Sequence, residues 1–263
     1  MAIADTGGAR FDMGRVISRT FGVIGRNLIT MFVLSLIVAI PMLVLNVWNY
    51  DDALGMVAGA QFDPNFILVS VTSWLIYVIA AFMLQAGVVH IAVRDLNSQP
   101  ASIGDAISTG LRHVIPLILI AIVSTIGIAI GLVLLIVPGI ILGMMWAVSV
   151  PARVVERTGI FESLGRSSDL TKGHRWAIFG LVVAYVLLSV ALSLALLPIQ
   201  AQVMMAVVQG TGPSTTFYLF FGVSTVITMI QSVIASAGIA AIYYELRVVK
   251  EGIGPEALAA VFD

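Results

Sequence analysis

No cysteine occurs among the 263 residues, which removes disulfides, thiolate chemistry and cysteine-ligated metals from consideration. Charge is nearly as scarce. Asp, Glu, Lys and Arg make up 10% of the chain, where a soluble domain carries about 25%. So few charged side chains cannot coat a water-facing surface of this size. With 60% hydrophobic residues and a mean hydropathy of +1.08, the chain belongs in hydrocarbon. A net charge of -1, and the lack of any basic array interleaved with aromatics, leave no nucleic-acid partner to expect. Met1 to Gly25 has no compact apolar core followed by a small-residue cleavage site, so these residues are expected to be retained.

What is there is a series of long uncharged runs separated by short amphipathic pieces. Met1 to Ala9 reads as a small, polar tail. From Asp12, residues Met13, Val16, Ile17, Thr20, Phe21 and Ile24 recur at helical spacing, with Arg15, Arg19 and Arg26 off that face. A basic amphipathic helix just before a span lies in the interface plane. Asn27 to Tyr50 is uncharged and long enough to cross, with a kink expected at Pro41 and Trp48 and Tyr50 suited to the far interface. Asp51, Asp52 and Asp63 fall in the next loop, and Pro64 to Val93 returns, carrying Gln85 and His90.

Ser102-Ile-Gly-Asp105 reads as a capping box with Asp in the acidic position, opening a second amphipathic helix with Ile103, Ile107, Leu111 and Val114 on one face. Val114 to Ala152 leaves room for two crossings if Pro138-Gly139 makes the turn, with Arg153 and Arg157 snorkelling to extend the shorter arm. Gly159 to Lys172 predicts a third short helix, with a favourable Glu162–Arg166 pair and a stop at Lys172-Gly173. Trp176 to Tyr244 holds two more spans, broken by Pro198 and the turn Gln209 to Pro213. Phe217 and Tyr218 suit one interface, and Tyr243 and Tyr244 the other. A tail, 245–263, follows, with a short helix expected from Pro255 to Phe262.

The fold class expected is an all-α integral membrane protein: six transmembrane helices as three hairpins, each preceded by a short interfacial amphipathic helix. It forms a single polytopic domain, 1–263, with repeat-like units at about 12–95, 102–156 and 159–250 and a bundle of pseudo-threefold order. All 13 Lys and Arg then fall on the side of the termini, whereas Asp51, Asp52 and Asp63 fall on the other. The positive-inside rule places both termini, and the tail, in the cytoplasm. Gly127/Gly131 and Gly139/Gly143 are small-residue pairs that let helices approach closely, more often within a chain than between copies. Ser232, Ser236 and Ala240 form a similar stripe. Self-association through such faces gives the homo-oligomer expected here.

No Asp, Glu, Lys or Arg lies inside a predicted span, which argues against an ion-coupled pump. His90, His113 and His174 fall near one interface, but their spacing is not a ligand motif, so no metal site and no cofactor are expected. Ser167, Asp169 and His174 supply the residue types of a hydrolytic triad without its geometry, and no catalytic residue is assigned. Arg153, Arg157, Arg166, Lys172 and Arg175 concentrate positive charge in one stretch that also holds Glu156, Glu162 and Asp169. They are the candidate binders of an anionic headgroup or a phosphate, with Arg166 and Lys172 foremost.

Pro138-Gly139, Pro151, Glu156, Glu162, Arg166-Ser167, Leu170-Thr171-Lys172-Gly173 and Trp176, with Tyr244-Glu245-Leu246-Arg247 and Lys250-Glu251-Gly252 closing the chain, resemble a known family. It is the membrane domain attached to some bacterial glycerophosphoryl diester phosphodiesterases, with related stand-alone inner-membrane proteins. The likeness covers most of the chain and is most specific at its centre. It implies a six-span unit in the bacterial inner membrane. It does not imply hydrolysis, because the fused phosphodiesterase is a separate soluble barrel with its own metal-binding motifs, and this chain has no room for one. The expected function is therefore non-enzymatic: organising or binding anionic lipid, or a lipid-derived polyol phosphate, at the cytoplasmic leaflet, with membrane lipids as partners. The alternative is a small-solute transporter or channel along the pseudo-axis, which a continuous Ser, Thr and Gln lining would favour. A third reading, an intramembrane enzyme, would need clustered His, Ser and Asp.

Overall fold

A computed structural model describes residues 10–48, 64–209 and 215–252. The expectations for Tyr50, Asp51, Asp52, Asp63, the turn at 210–213 and the helix from Pro255 to Phe262 lie outside the described residues, as does the side chain of Trp48.

Asp12 caps α1 (Met13–Arg26), its carboxylate accepting the Arg15 backbone N–H at 3.1 Å. The apolar periodicity splits across two faces. Val16, Thr20 and Val23 are buried in the bundle, while Met13, Ile17 and Phe21 stay exposed. Asn27 separates α1 from α2 (Leu28–Trp48), and α3 (Pro64–Leu96) follows. Ser102 caps α4 (Ile103–Leu134), its hydroxyl accepting the Asp105 N–H at 3.0 Å. The second amphipathic piece is not a separate helix, because α4 runs through Pro116 into the apolar stretch without a break. Pro41 and Pro198 also lie inside helices, in α2 and in α8 (Arg175–Val208), so Pro198 does not end its helix. Long apolar helices tolerate proline where packing and neighbouring groups satisfy the freed carbonyl. The remaining helices are α5 (Ile136–Met145), α6 (Ser149–Glu156), α7 (Ile160–Thr171) and α9 (Thr215–Glu251). No strand occurs among the described residues.

Six stretches are long and apolar enough to cross a membrane: Leu28–Leu45, Ile67–Leu96, Ile103–Leu134, Ile136–Glu156, Arg175–Ala206 and Thr215–Glu251. Their outward faces carry many exposed Leu, Ile, Val and Phe side chains. In water so large an apolar surface would aggregate, and hydrocarbon is the solvent that suits it. The closest packing lies at the end where the arginines gather. Met31 and Leu34 of α2, Ala86 to Ala92 of α3, Ala152 of α6, and Ala237, Ala240 and Ala241 of α9 pack there in one core. At the opposite end Val133, Leu134, Leu135, Ile136, Met204, Met205 and Val208 are exposed.

The turn between α4 and α5 is not at Pro138-Gly139. It lies at Leu135, in extended conformation, and α5 starts again at once. Pro138 occupies the first turn of α5, where its missing N–H would lack a partner in any case. Gly139 instead allows a close approach of the two helices, since a Cβ there would stand 2.7 Å from the Leu132 backbone nitrogen. A Cβ on Gly131 would come within 2.9 Å of the Gly139 Cα, and one on Gly127 within 2.6 Å of the Trp146 ring. Both glycines of the first small-residue pair, and the leading glycine of the second, therefore serve contacts within this chain.

Candidate functional site

Three carboxylates near the C-terminal ends of helices organise the charged end. A carboxylate there faces the negative end of the helix dipole and needs cations to hold it. Asp95, near the end of α3, accepts Arg26 Nη2 at 2.5 Å and Asn27 Nδ2 at 2.8 Å. Glu156 closes α6 and accepts Arg166 Nε at 2.8 Å and the Tyr243 hydroxyl at 2.7 Å. Glu251 takes Arg247 Nε at 2.7 Å and also Arg166 Nη2. Glu245, buried on α9, takes Arg15 Nη2 at 2.7 Å and Arg19 Nη1, and Arg19 also lies 4.9 Å from the centre of the Tyr244 ring.

Arg166 thus sits between two carboxylates rather than beside Lys172 at an open site. Burial works against its charge, but the hydrogen bonds to Glu156 and Glu251 prevail and hold its pKa above the ordinary value. The expected Glu162–Arg166 pair does not form. Glu162 turns back to accept the Gly159 N–H at 2.8 Å and fixes the start of α7. Pro151 is buried in α6, and Arg153 donates to the Thr158 carbonyl across the α6–α7 link. Arg157 is exposed and ends α6 in the left-handed region at φ 54°, a position glycine more often fills.

Ser167 is a structural residue that sequence reasoning missed. Its hydroxyl accepts the Val148 N–H at 3.2 Å and donates to the Met145 carbonyl at 2.8 Å. It satisfies both edges of the break between α5 and α6, and Thr171 adds a second bond to Met145 at 3.3 Å. The sequence singled out Ser167 as a triad candidate and within the central motif, but not for this contact. This engagement, with Asp169 exposed and His174 stacked on Phe11 at 5.5 Å, brings no relay of Ser167, Asp169 and His174 together. Among the described residues no three His, Asp or Glu side chains gather in a metal-binding group. His113 has its own local partner, the Thr109 carbonyl at 2.9 Å from Nδ1.

Lys172 and Arg175 stand differently from Arg166. Thr171 ends α7, Gly173 turns the chain at φ 90°, and α8 begins at Arg175. These residues, with Trp176 and Phe179, face Ile140, Ile141 and Met144 of α5 across a cleft of about 260 Å³. The first N–H groups of a helix have no intrahelical partners and carry the positive end of its dipole. Among the described residues neither Lys172 nor Arg175 meets a carboxylate, and the buried Arg175 Nε has no hydrogen-bond partner. Trp176 is 75% exposed and meets Phe179 edge to face at 5.8 Å. The cleft therefore joins a positive rim to an apolar wall. An anion with a hydrocarbon tail satisfies both surfaces at once.

No protein-family profile, no characterised protein and no solved structure matches the chain.

Proposed function

We propose that this chain is a non-enzymatic protein of the bacterial inner membrane that binds anionic lipid headgroups at the cytoplasmic leaflet. Its site is the cleft between α5 and the start of α8. One observation carries the reading: among the described residues Lys172 and Arg175 meet no carboxylate, Arg175 opens α8, and both border an apolar wall of Ile140, Ile141, Met144 and Phe179. A glycerophospholipid phosphate meets the two cations while its chains follow the wall. Trp176, exposed at the rim, suits the headgroup layer. The six apolar stretches form three hairpins, with the amphipathic segments at the cytoplasmic interface. The confinement of Lys and Arg to one side of the predicted spans supports that orientation.

The test is retention of phosphatidylglycerol over phosphatidylcholine by the detergent-purified full chain, read by native mass spectrometry. A cation near anionic lipid contributes about 1 kcal/mol, so Lys172→Gln/Arg175→Gln should reduce the preference by about 30-fold. Equal retention by wild type and variant would remove the headgroup reading.

A further inference from the structure

A second cavity lies among α2, α3 and α9, with a volume of about 270 Å³. Its wall carries six hydroxyl side chains, Ser35, Tyr77, Ser224, Thr225, Thr228 and Ser232, and no charged residue. Tyr77 stands more than three turns from either end of α3. Tyrosines in spans usually sit at the water interface, where the phenol stays wet. Tyr77 is 51% exposed and Thr228 is exposed, so the cavity is open on one side. Away from water a polar group without a hydrogen bond is costly.

The hydroxyls divide into two kinds. Ser35 donates to the Phe32 carbonyl at 2.9 Å, Ser224 to Phe221 at 3.1 Å and Thr228 to Ser224 at 2.8 Å. Their protons are committed to their own helices, which leaves oxygen lone pairs as acceptors. The hydroxyls of Tyr77, Thr225 and Ser232 bond to no described residue and keep their protons as donors. An occupant must therefore offer both donors and acceptors. An anion would find no cation on this wall, and a cation would find no carboxylate. Leu84 on this wall is buried, as are Ala86 of α3 and Val233 and Ala237 of α9, further along towards the charged end.

We propose that this cavity binds a small uncharged polyol, held by donated protons from Tyr77, Thr225 and Ser232 and by acceptor oxygens of Ser35, Ser224 and Thr228. The site is separate from the cleft at Lys172 and Arg175 and does not rest on headgroup binding.

The experiment uses the full chain in nanodiscs, with glycerol, erythritol and xylitol as probes and saturation-transfer NMR titration as readout. Saturable binding of at least one probe is expected. Tyr77→Phe/Thr225→Val/Ser232→Ala should weaken it at least about tenfold, and Tyr77→Phe alone severalfold. Tyr77→Phe keeps the ring and decides the matter if the triple variant does not fold. Lys172→Gln/Arg175→Gln should bind the polyol as wild type does, which keeps this outcome apart from that of the lipid test. Absence of saturable binding for all three polyols, or equal affinity in wild type and Tyr77→Phe, would overturn the proposal.

Discussion

The Glu245 carboxylate of α9 accepts Nε and Nη2 of Arg15 in α1 at 3.0 and 2.7 Å, which joins the first described helix to the last. The Glu245 side chain is 1% exposed, and Arg19 supplies a second guanidinium. The hydrogen bond to Glu245 is the largest cause that raises the Arg15 pKa. Asp95 does similar work with Arg26 and Asn27, and Glu156 with Arg166 and Tyr243. Many of the arginines gathered at this end of the bundle are therefore also internal ties. Among the described residues the cations left without carboxylates, Lys172 and Arg175 among them, are the ones with capacity for an external anion.

Glu245→Gln tests the first tie. The amide keeps the shape of the buried carboxylate but leaves the partly exposed Arg15 and Arg19 without a counter-charge. Hydrogen bonds to charged groups contribute about 2 kcal/mol. The thermal midpoint, followed by circular dichroism in detergent, should fall by several degrees. Arg15→Gln should cost less, because that side chain is about half exposed. An unchanged midpoint in Glu245→Gln would mean the tie contributes nothing net.

Gly139→Ala tests the α4–α5 crossing. The added Cβ would meet the Leu132 backbone nitrogen at 2.7 Å, and backbone cannot move aside as a side chain can. Overpacking of this kind costs about 1–3 kcal/mol. Gly165→Ala is the control: nothing lies within 4 Å of its Cβ position, so helix propensity alone should make it neutral or stabilising. Equal midpoints for Gly139→Ala and wild type would show that the helices separate readily at this point.

These positions also show what could be read in advance. The apolar runs, the helix start after Asp12, the Ser102 cap and the helix end at Lys172-Gly173 follow from local chemistry, and each is found where the pattern placed it. The break at Leu135 was not legible, because nothing in Val133 to Val137 is a turn residue, whereas Pro138-Gly139 looks like one. The glycine is there for a tertiary contact that no local window contains. Glu162 and Arg166 have the right spacing for a pair, but a helix start claims one and two distant carboxylates claim the other. Lys172 and Arg175 were legible as cations. Their freedom from partners was not, since it depends on where Glu156, Glu251 and Asp169 end up.

Arg166→Gln and Glu156→Gln, singly and together, measure whether Arg166 belongs to the scaffold. A contacting charged pair in a shared network should show a coupling of about 1–2 kcal/mol in a double-mutant cycle read by denaturant or thermal unfolding. Arg166 is 29% exposed, so solvent keeps the value below that of a fully buried pair. A coupling near zero would release Arg166 from this role and return it to the candidates for ligand binding.

His174 gives a pH dependence with a definite sign. It lies in the link between α7 and α8, stacked on Phe11 with ring centres 5.5 Å apart. Burial, and then the charge of Lys250, lower its pKa below the ordinary 6.5. The unfolded chain therefore takes up the proton more readily than the folded one. The contribution of neutral His174 is fully present above pH 6.5 and is lost as the pH falls through the interval between 6.5 and the folded value. His174→Phe keeps an aromatic ring against Phe11 and removes the titration. The difference in thermal midpoint between wild type and His174→Phe should shift against wild type as the pH drops from 7 towards 5, while groups common to both cancel. A shift in favour of wild type on acidification would mean that the folded chain stabilises the imidazolium, and would place an attracting carboxylate close to the ring.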